Sequence, residues 1–363
     1  MPAEPPLISV VIPVHGVGEY LPDCLGSVLG GPEPGLPGGH RIEVIAVDDA
    51  SPDGAGRLLD EMAAGDPRLA VVHLERSAGP GNARNLGLAR AAGRYVWFVD
   101  GDDSITSGAL CQIAERLLAQ RPDVLLIDYQ DVYPGGRTAP SPGAPLLRAA
   151  PRGLFTLAQA PDLIRLAMTA WSKVFRRDFL LALGEPFRPG IHEDIPVTCA
   201  ALLAGRLSAL PVVCYRYRRA RPGSFMATTA SGHLAVFDAY AGVLERLRRL
   251  AEAGDPVATP AVRQAVFERA ISHYANVLQA RGASGRGLVP RPERRRFFRR
   301  MHEEFERHAP PGYRPPPGAL GAKFRLIRRD AYLAYEALEP VNRARLALRR
   351  GLRGAGAAGD SRP

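Results

Sequence analysis

The sequence predicts an α/β fold, a parallel three-layer sheet followed by an α-helical appendage. Three observations carry this. Short β-branched or aromatic runs alternate with helically spaced segments from Leu7 to about Tyr129, the order that favours parallel strands joined by helical crossovers. Acidic and other polar residues gather after the C-terminal ends of those runs, where open α/β sheets bind ligands. From Leu234 the strand signals stop and helical spacing takes over.

The first strand is Leu7 to Val14, ending at Pro13 and Val14, and His15-Gly16-Val17-Gly18 is the loop after it. Glu19 to Leu29 has helical spacing through Leu21, Leu25 and Val28. A Gly/Pro-rich connector leads to the second strand, Ile42 to Val47, which runs into Asp48-Asp49-Ala50-Ser51-Pro52-Asp53-Gly54. Leu58 to Ala64 reads as a helix, Leu69 to Leu74 as a strand, and Gly79 to Ala92 as a helix.

Tyr95 to Val99 is a buried strand by its apolar and aromatic run, and Asp100-Gly101-Asp102-Asp103 leaves it. Three carboxylates so close repel one another unless a cation lies between them, and hard divalent ions prefer oxygen ligands. A metal-and-phosphate site is one reading; an acidic turn capping the next helix is the other. Gly108 to Arg121 is a helix, Val124 to Tyr129 a strand, and Pro134 to Pro151 a Pro/Gly-rich excursion.

The segment Gly79-Pro80-Gly81-Asn82-Ala83-Arg84-Asn85 opens its helix with free amides and a permanent charge suited to phosphate, or is a plain turn with a solvated arginine. No GxGxxG follows the first strand and no GxxxxGK[ST] occurs anywhere, which disfavours dehydrogenase and P-loop readings. Trp171 and Lys173 lie together in Thr169 to Asp178; they suit a sugar face and a phosphate, and Trp171 suits the core equally. Ile191-His192-Glu193-Asp194-Ile195-Pro196 opens a helix running to about Leu203. Its acids either complement the helix dipole or present a general base, and His192 is open between ligand, hydrogen-bond donor and surface residue. Tyr215-Arg216-Tyr217-Arg218-Arg219 reads as a strand with its arginines on one face, followed by a Gly-Ser loop.

Composition bounds the rest. The chain has 363 residues, 46% of them hydrophobic, and a net charge of +10; Lys173 and Lys323 are its only lysines. No apolar run has the length of a membrane span, and Met1 to Pro6 lacks the order of a secretory signal. The expected location is therefore cytoplasmic. Cys24, Cys111, Cys199 and Cys214 are scattered singly, as buried reduced thiols rather than a zinc site.

Taken together, the chain resembles family 2 glycosyltransferases of the GT-A (Rossmann-like) fold, the look being that of bacterial enzymes that decorate teichoic acids, capsules and other cell-surface glycans. The blocks are Ile12-Pro13-Val14, Val47 to Gly54, Pro80 to Gly87, Phe98 to Asp103, Trp171 to Phe175 and His192-Glu193-Asp194, in the family's order. The resemblance implies transfer of a sugar from a nucleotide-sugar, most often a UDP-sugar, to a hydroxyl acceptor with inversion. It implies that Pro13, Val14 and Asp49 line the nucleobase pocket, with His15 beside them where relatives often carry Tyr. Arg84 would lie near the base or diphosphate, with Lys173 and Arg218 also on the donor side. Asp100 would contact ribose, Asp102 a Mn or Mg ion as part of a DxD motif, and Asp194 would be the general base, with Glu193 orienting it or the acceptor. A nucleotidyltransferase and a non-catalytic binding protein of the same fold are the alternatives.

The sequence divides into a catalytic domain over 1–228, a basic helical region over 229–353 and a disordered tail over 354–363. Helical spacing marks Leu234 to Glu252, Ala261 to Arg281, Arg291 to His308 and Ala331 to Leu352. Basic amphipathic helices suit either the inner face of an anionic membrane, where lipid-linked acceptors reside, or solvent. The expected partners are a nucleotide-sugar donor and a glycan, polyol-phosphate or lipid-linked acceptor, and nucleic acid is not expected.

Overall fold

Five consecutive residues of the first strand, β1 (Ile8–Val14), are buried, so the strand is covered on both faces. Its polar member, Ser9, donates to Glu43 (2.5 Å) and accepts from the Gly93 amide (2.8 Å). In the computed structural model, which describes residues 4–30, 36–219, 231–280 and 287–338, β1 lies between β2 (Ile42–Asp48) and β4 (Tyr95–Phe98), both parallel to it. β3 (Leu69–His73) is parallel to β2 on the far side. The connections are α1 (Leu21–Leu29), α2 (Ala55–Gly65) and α3 (Pro80–Arg90). Strand order runs β3-β2-β1-β4, so the direction of winding reverses at β1, which opens a crevice beyond the C-terminal ends of β1, β2 and β4.

α3 packs closely on β1. A Cβ at Gly87 would stand 2.3 Å from Cγ1 of Val11, so a larger residue there would force the layers apart.

The second half of the sheet corrects the all-parallel expectation. After β5 (Ser104–Ile105) and α4 (Ala109–Gln120) come β6 (Val124–Val132), β7 (Thr138–Pro140) and α5 (Ala144–Arg148). β8 (Lys173–Arg176), α6 (Arg177–Ala182), α7 (Asp194–Ala204) and β9 (Leu207–Arg218) follow. The order continues β4-β8-β6-β9-β5, with β7 pairing β6. β8 is antiparallel to both its neighbours, β9 is parallel to β6, and β5 is antiparallel to β9. The long excursion before β8 carries the chain to the other end of the sheet, so a four-residue strand enters reversed.

Trp171 belongs to the core. Its ring is stacked on Tyr215 (4.5 Å) and Tyr217 (5.2 Å), and its carbonyl accepts the Trp97 indole N–H (2.8 Å).

The described residues fall into two compact units, one made of 4–30, 36–219 and 235–269 and the other of 231–234, 270–280 and 287–338. α8 (Ala235–Glu252) and the first part of α9 (Pro260–Gln279) fall in the first unit, whereas the sequence assigns everything from 229 to the appendage. The second unit contains α10 (Arg294–His308) and α11 (Gly318–Arg328). On α10, Phe297, Phe298, Met301 and Phe305 are buried, and buried Glu304 pairs with Arg300, Arg307 and His308. Arg291, Arg295, Arg296 and Arg299 are exposed. The expected helix beyond residue 338, the tail 354–363 and the loop after Arg219 lie outside the described residues. Among the described residues no helix is long and apolar enough to cross a membrane.

Candidate active site

The acidic loop leaves β4 at the reversal point, and β9 fixes its shape. Asp103 is buried and accepts the Tyr215 hydroxyl (2.7 Å) and the Arg218 amide (2.6 Å). The Tyr215 oxygen in turn accepts the Asp100 amide (3.1 Å), and Arg218 Nε donates to the Asp102 carbonyl (2.8 Å). Burial, then the charges of Asp102 and Asp100, push the Asp103 carboxyl well above its ordinary value. Asp103 therefore holds the loop, and Asp100 and Asp102 remain as the acids at its mouth. Arg218, expected on the donor side, lies beside the acidic loop. Its guanidinium lies over the Tyr20 ring (4.7 Å) and 3.6 Å from Asp23, so its head is already engaged beside the loop.

At the end of β2, Asp49 is buried and its two carboxylate oxygens take three donors: the amides of Ala78 (2.6 Å) and Gly79 (2.9 Å) and the Ser77 hydroxyl (2.8 Å). The carboxylate therefore shapes the loop that delivers α3. The Asp49 amide donates to the Val14 carbonyl (2.8 Å), and His15 Nδ1 lies 2.7 Å from the Asp49 carbonyl. Pro13 is half-buried, Val14 buried and His15 exposed, so the chain leaves the core as it passes from β1 into the loop.

Arg84 is the centre of the charge arrangement. It is 5% exposed, donates through one terminal nitrogen to Glu193 (2.5 Å) and through the other to Asp100 (2.8 Å). Burial works against its charge, but Asp100, Glu193 and Asp194 hold its pKa above the ordinary value. A buried cation shared by two carboxylates compensates each in a medium where an unpaired charge is costly.

Asp194 opens α7, whose next nine residues are all buried. Burial raises the Asp194 carboxyl to about 7, Glu193 adds to this, and Arg84 and Lys173 oppose it. A carboxylate tuned near neutrality is what proton abstraction at that pH requires. His192, just before this pair, is buried with φ +66°, a left-handed backbone that non-glycine residues rarely adopt; this settles against a surface residue.

Lys173 corrects another expectation. It is 1% exposed, and its ammonium donates to the carbonyls of Ala167 (2.7 Å) and Thr169 (3.0 Å) and to the Ser172 hydroxyl (3.1 Å). Three donors meet three acceptors of its own loop, so it is not placed to meet a phosphate. Burial lowers its pKa to about 8. Its charge acts at a distance, on Asp194.

Among the described residues no three or more His, Cys, Asp or Glu side chains cluster as a ready-made metal cage. The donor chemistry at the loop mouth fits a different mode, in which one or two carboxylates and substrate phosphates share a hard divalent ion. Two contributors escaped the sequence reading. Tyr215 was visible only as part of a Tyr/Arg alternation. Asn85, beside Arg84, exchanges two hydrogen bonds with the Phe187 backbone.

Known proteins resemble this chain in sequence and in fold. The family model described as glycosyl transferase family 2 matches residues 9–183. The chain is 28% identical over 218 residues to the uncharacterized glycosyltransferase EpsJ of Bacillus subtilis, covering 59% of this chain and 61% of that protein. It is 42% identical over 98 residues to the putative teichuronic acid biosynthesis glycosyltransferase TuaG of the same organism, covering 27% of this chain and 36% of that protein. The chain thus spans less than two thirds of the length of these relatives. In fold it is similar to the crystal structure of S. aureus TarS 1-349 in complex with UDP-GlcNAc, with a TM-score of 0.71, 22% identity, and coverage of 93% of this chain and 91% of that one.

Proposed function

Through residues 9–183 the chain belongs to glycosyl transferase family 2, and from that premise we propose that it moves a sugar from a UDP-sugar to a hydroxyl acceptor with inversion, in the building of a bacterial cell-surface glycan. One observation carries the reading: Asp100 at the end of β4 and Glu193 at the start of α7 meet on a single buried arginine. That brings acids from two distant parts of the chain to one crevice.

In this reading Asp194 takes the proton of the acceptor hydroxyl, since a neutral hydroxyl is a weak nucleophile. Glu193 and Arg84 set its charge environment. Pro13, Val14 and His15 form the base-side rim, with Asp49 shaping it from behind, and Asp100 meets the ribose. Asp102 would hold Mn or Mg together with the donor's phosphates, and the ion would offset negative charge on the departing nucleoside diphosphate. The fold likeness to a protein solved with UDP-GlcNAc supports a UDP-sugar donor, and the teichuronic acid description of one relative supports a surface-glycan acceptor, polyol-phosphate or lipid-linked. The exposed arginines of α10 would meet an anionic membrane surface carrying such an acceptor, on its cytoplasmic side.

The test is Asp194→Asn, assayed as UDP release from a panel of UDP-sugars, UDP-GlcNAc first, with UDP affinity measured in parallel. Turnover falls by about 10²–10⁴-fold while UDP affinity stays unchanged. A variant turning over at the wild-type rate removes Asp194 as the base.

A further inference from the structure

We infer that Asn85 is a positioning residue for the Glu193–Asp194 pair, acting through a backbone clamp on Phe187; the inference rests on the reading of Asp194 as general base. Asn85 Nδ2 donates to the Phe187 carbonyl (2.8 Å), and the Phe187 amide donates to Asn85 Oδ1 (3.0 Å). One side-chain amide thus occupies both polar groups of one residue, fixing it in two directions, across 102 positions of sequence.

Two neighbours on the same face of α3 serve the same segment. A Cβ at Gly81 would stand 2.3 Å from the Arg188 carbonyl oxygen and 3.3 Å from Cγ of Glu193, so the segment rests on bare helix backbone there. The Arg84 guanidinium lies 5.7 Å over the buried Phe187 ring while its terminal nitrogen holds Glu193. Positions 81, 84 and 85 are neighbours at helical i, i+3 and i+4 spacing.

The segment needs such a grip. Glu185-Pro186-Phe187-Arg188-Pro189-Gly190 is a turn-rich sequence outside any helix or strand, and Gly190 has φ +99°. Beyond Asp194, α7 is a buried helix from Ile195 to Leu203. The freedom to misplace the two acids therefore lies between Phe187 and Glu193, and Asn85 closes it at the near end. Both hydrogen bonds of the clamp go to the Phe187 backbone, so their loss acts on the segment that carries the base.

The experiment compares Asn85→Ala, Gly81→Ala, their double variant and Asp194→Asn in the full chain. UDP affinity is read by calorimetry and turnover as UDP release from UDP-GlcNAc. Each single change lowers kcat by about 10²-fold, the penalty of roughly 1 Å of misplacement, with KM and UDP affinity within about twofold of wild type. The double variant is no worse than either single one, because both loosen the same segment. Wild-type kcat in Asn85→Ala beside an inactive Asp194→Asn overturns the clamp alone, as does a loss of UDP affinity in proportion to kcat, or losses that multiply in the double variant. Wild-type turnover in Asp194→Asn instead overturns the base reading. If Asn85→Ala does not fold, Asn85→Asp keeps the acceptor for the Phe187 amide and loses only the donor; an intermediate kcat supports the clamp and wild-type kcat overturns it.

Discussion

Glu193 stands 2.5 Å from the Arg84 guanidinium across 109 positions of sequence, and through the second nitrogen of that arginine it is tied to Asp100 and the end of β4. Replacing the arginine by an apolar residue of similar length strands two carboxylates in a poorly solvated place. Arg84→Met should cost about 3–5 kcal/mol of stability, seen as a lower denaturant midpoint with an unchanged slope.

The proton affinity of Asp194 sets a pH rule. Its carboxyl is raised to about 7 by burial and by Glu193, and a base works only when ionised, so turnover should climb as pH rises through about 7. Glu193→Gln removes the adjacent negative charge and leaves Arg84 less neutralised; both changes favour the carboxylate, so the acid limb moves to lower pH. A folded-state value above the unfolded one also means that the stability it contributes is present at low pH and lost as pH rises through about 7. Asp194→Asn should flatten that part of the stability profile.

Asp102→Asn should weaken activation by Mn or Mg about tenfold or more, measured by titrating the ion back after chelation. Equal activation curves for variant and wild type would take Asp102 out of the metal role.

Tyr215→Phe deletes the donor to Asp103 and the acceptor for the Asp100 amide in one step. With Asp103 buried and Asp100 half-buried, the expected loss is about 1–3 kcal/mol, read by thermal denaturation, together with reduced turnover as the acidic loop loosens.

Much of this was legible in the chain. The acids at strand ends announced themselves because a strand fixes where its next residue goes, so Asp49 and Asp100 stood out by position before the resemblance gave them roles. What a side chain does there is decided by partners far away in sequence. Lys173 looked like a phosphate ligand because a lone lysine beside a tryptophan carries no sign of the three oxygens that its own loop turns toward it. Asp103 could not be told from Asp102, since only the return of Tyr215 and Arg218 on β9 distinguishes them. Strand direction was equally hidden: Lys173–Arg176 has the same composition whichever way it enters the sheet.

β9 pairs with β6 along its length and with β5 near its end, and its last turn of sequence carries both Tyr215 and Arg218. A chain shortened just before Tyr215 would keep every acid proposed for chemistry and lose what holds Asp100 and Asp102 in place. A tyrosine hydroxyl and a main-chain amide at the end of one strand thus decide how the acidic loop is held, and trimming that strand from Arg218 back past Tyr215 should show a sharp fall in melting temperature.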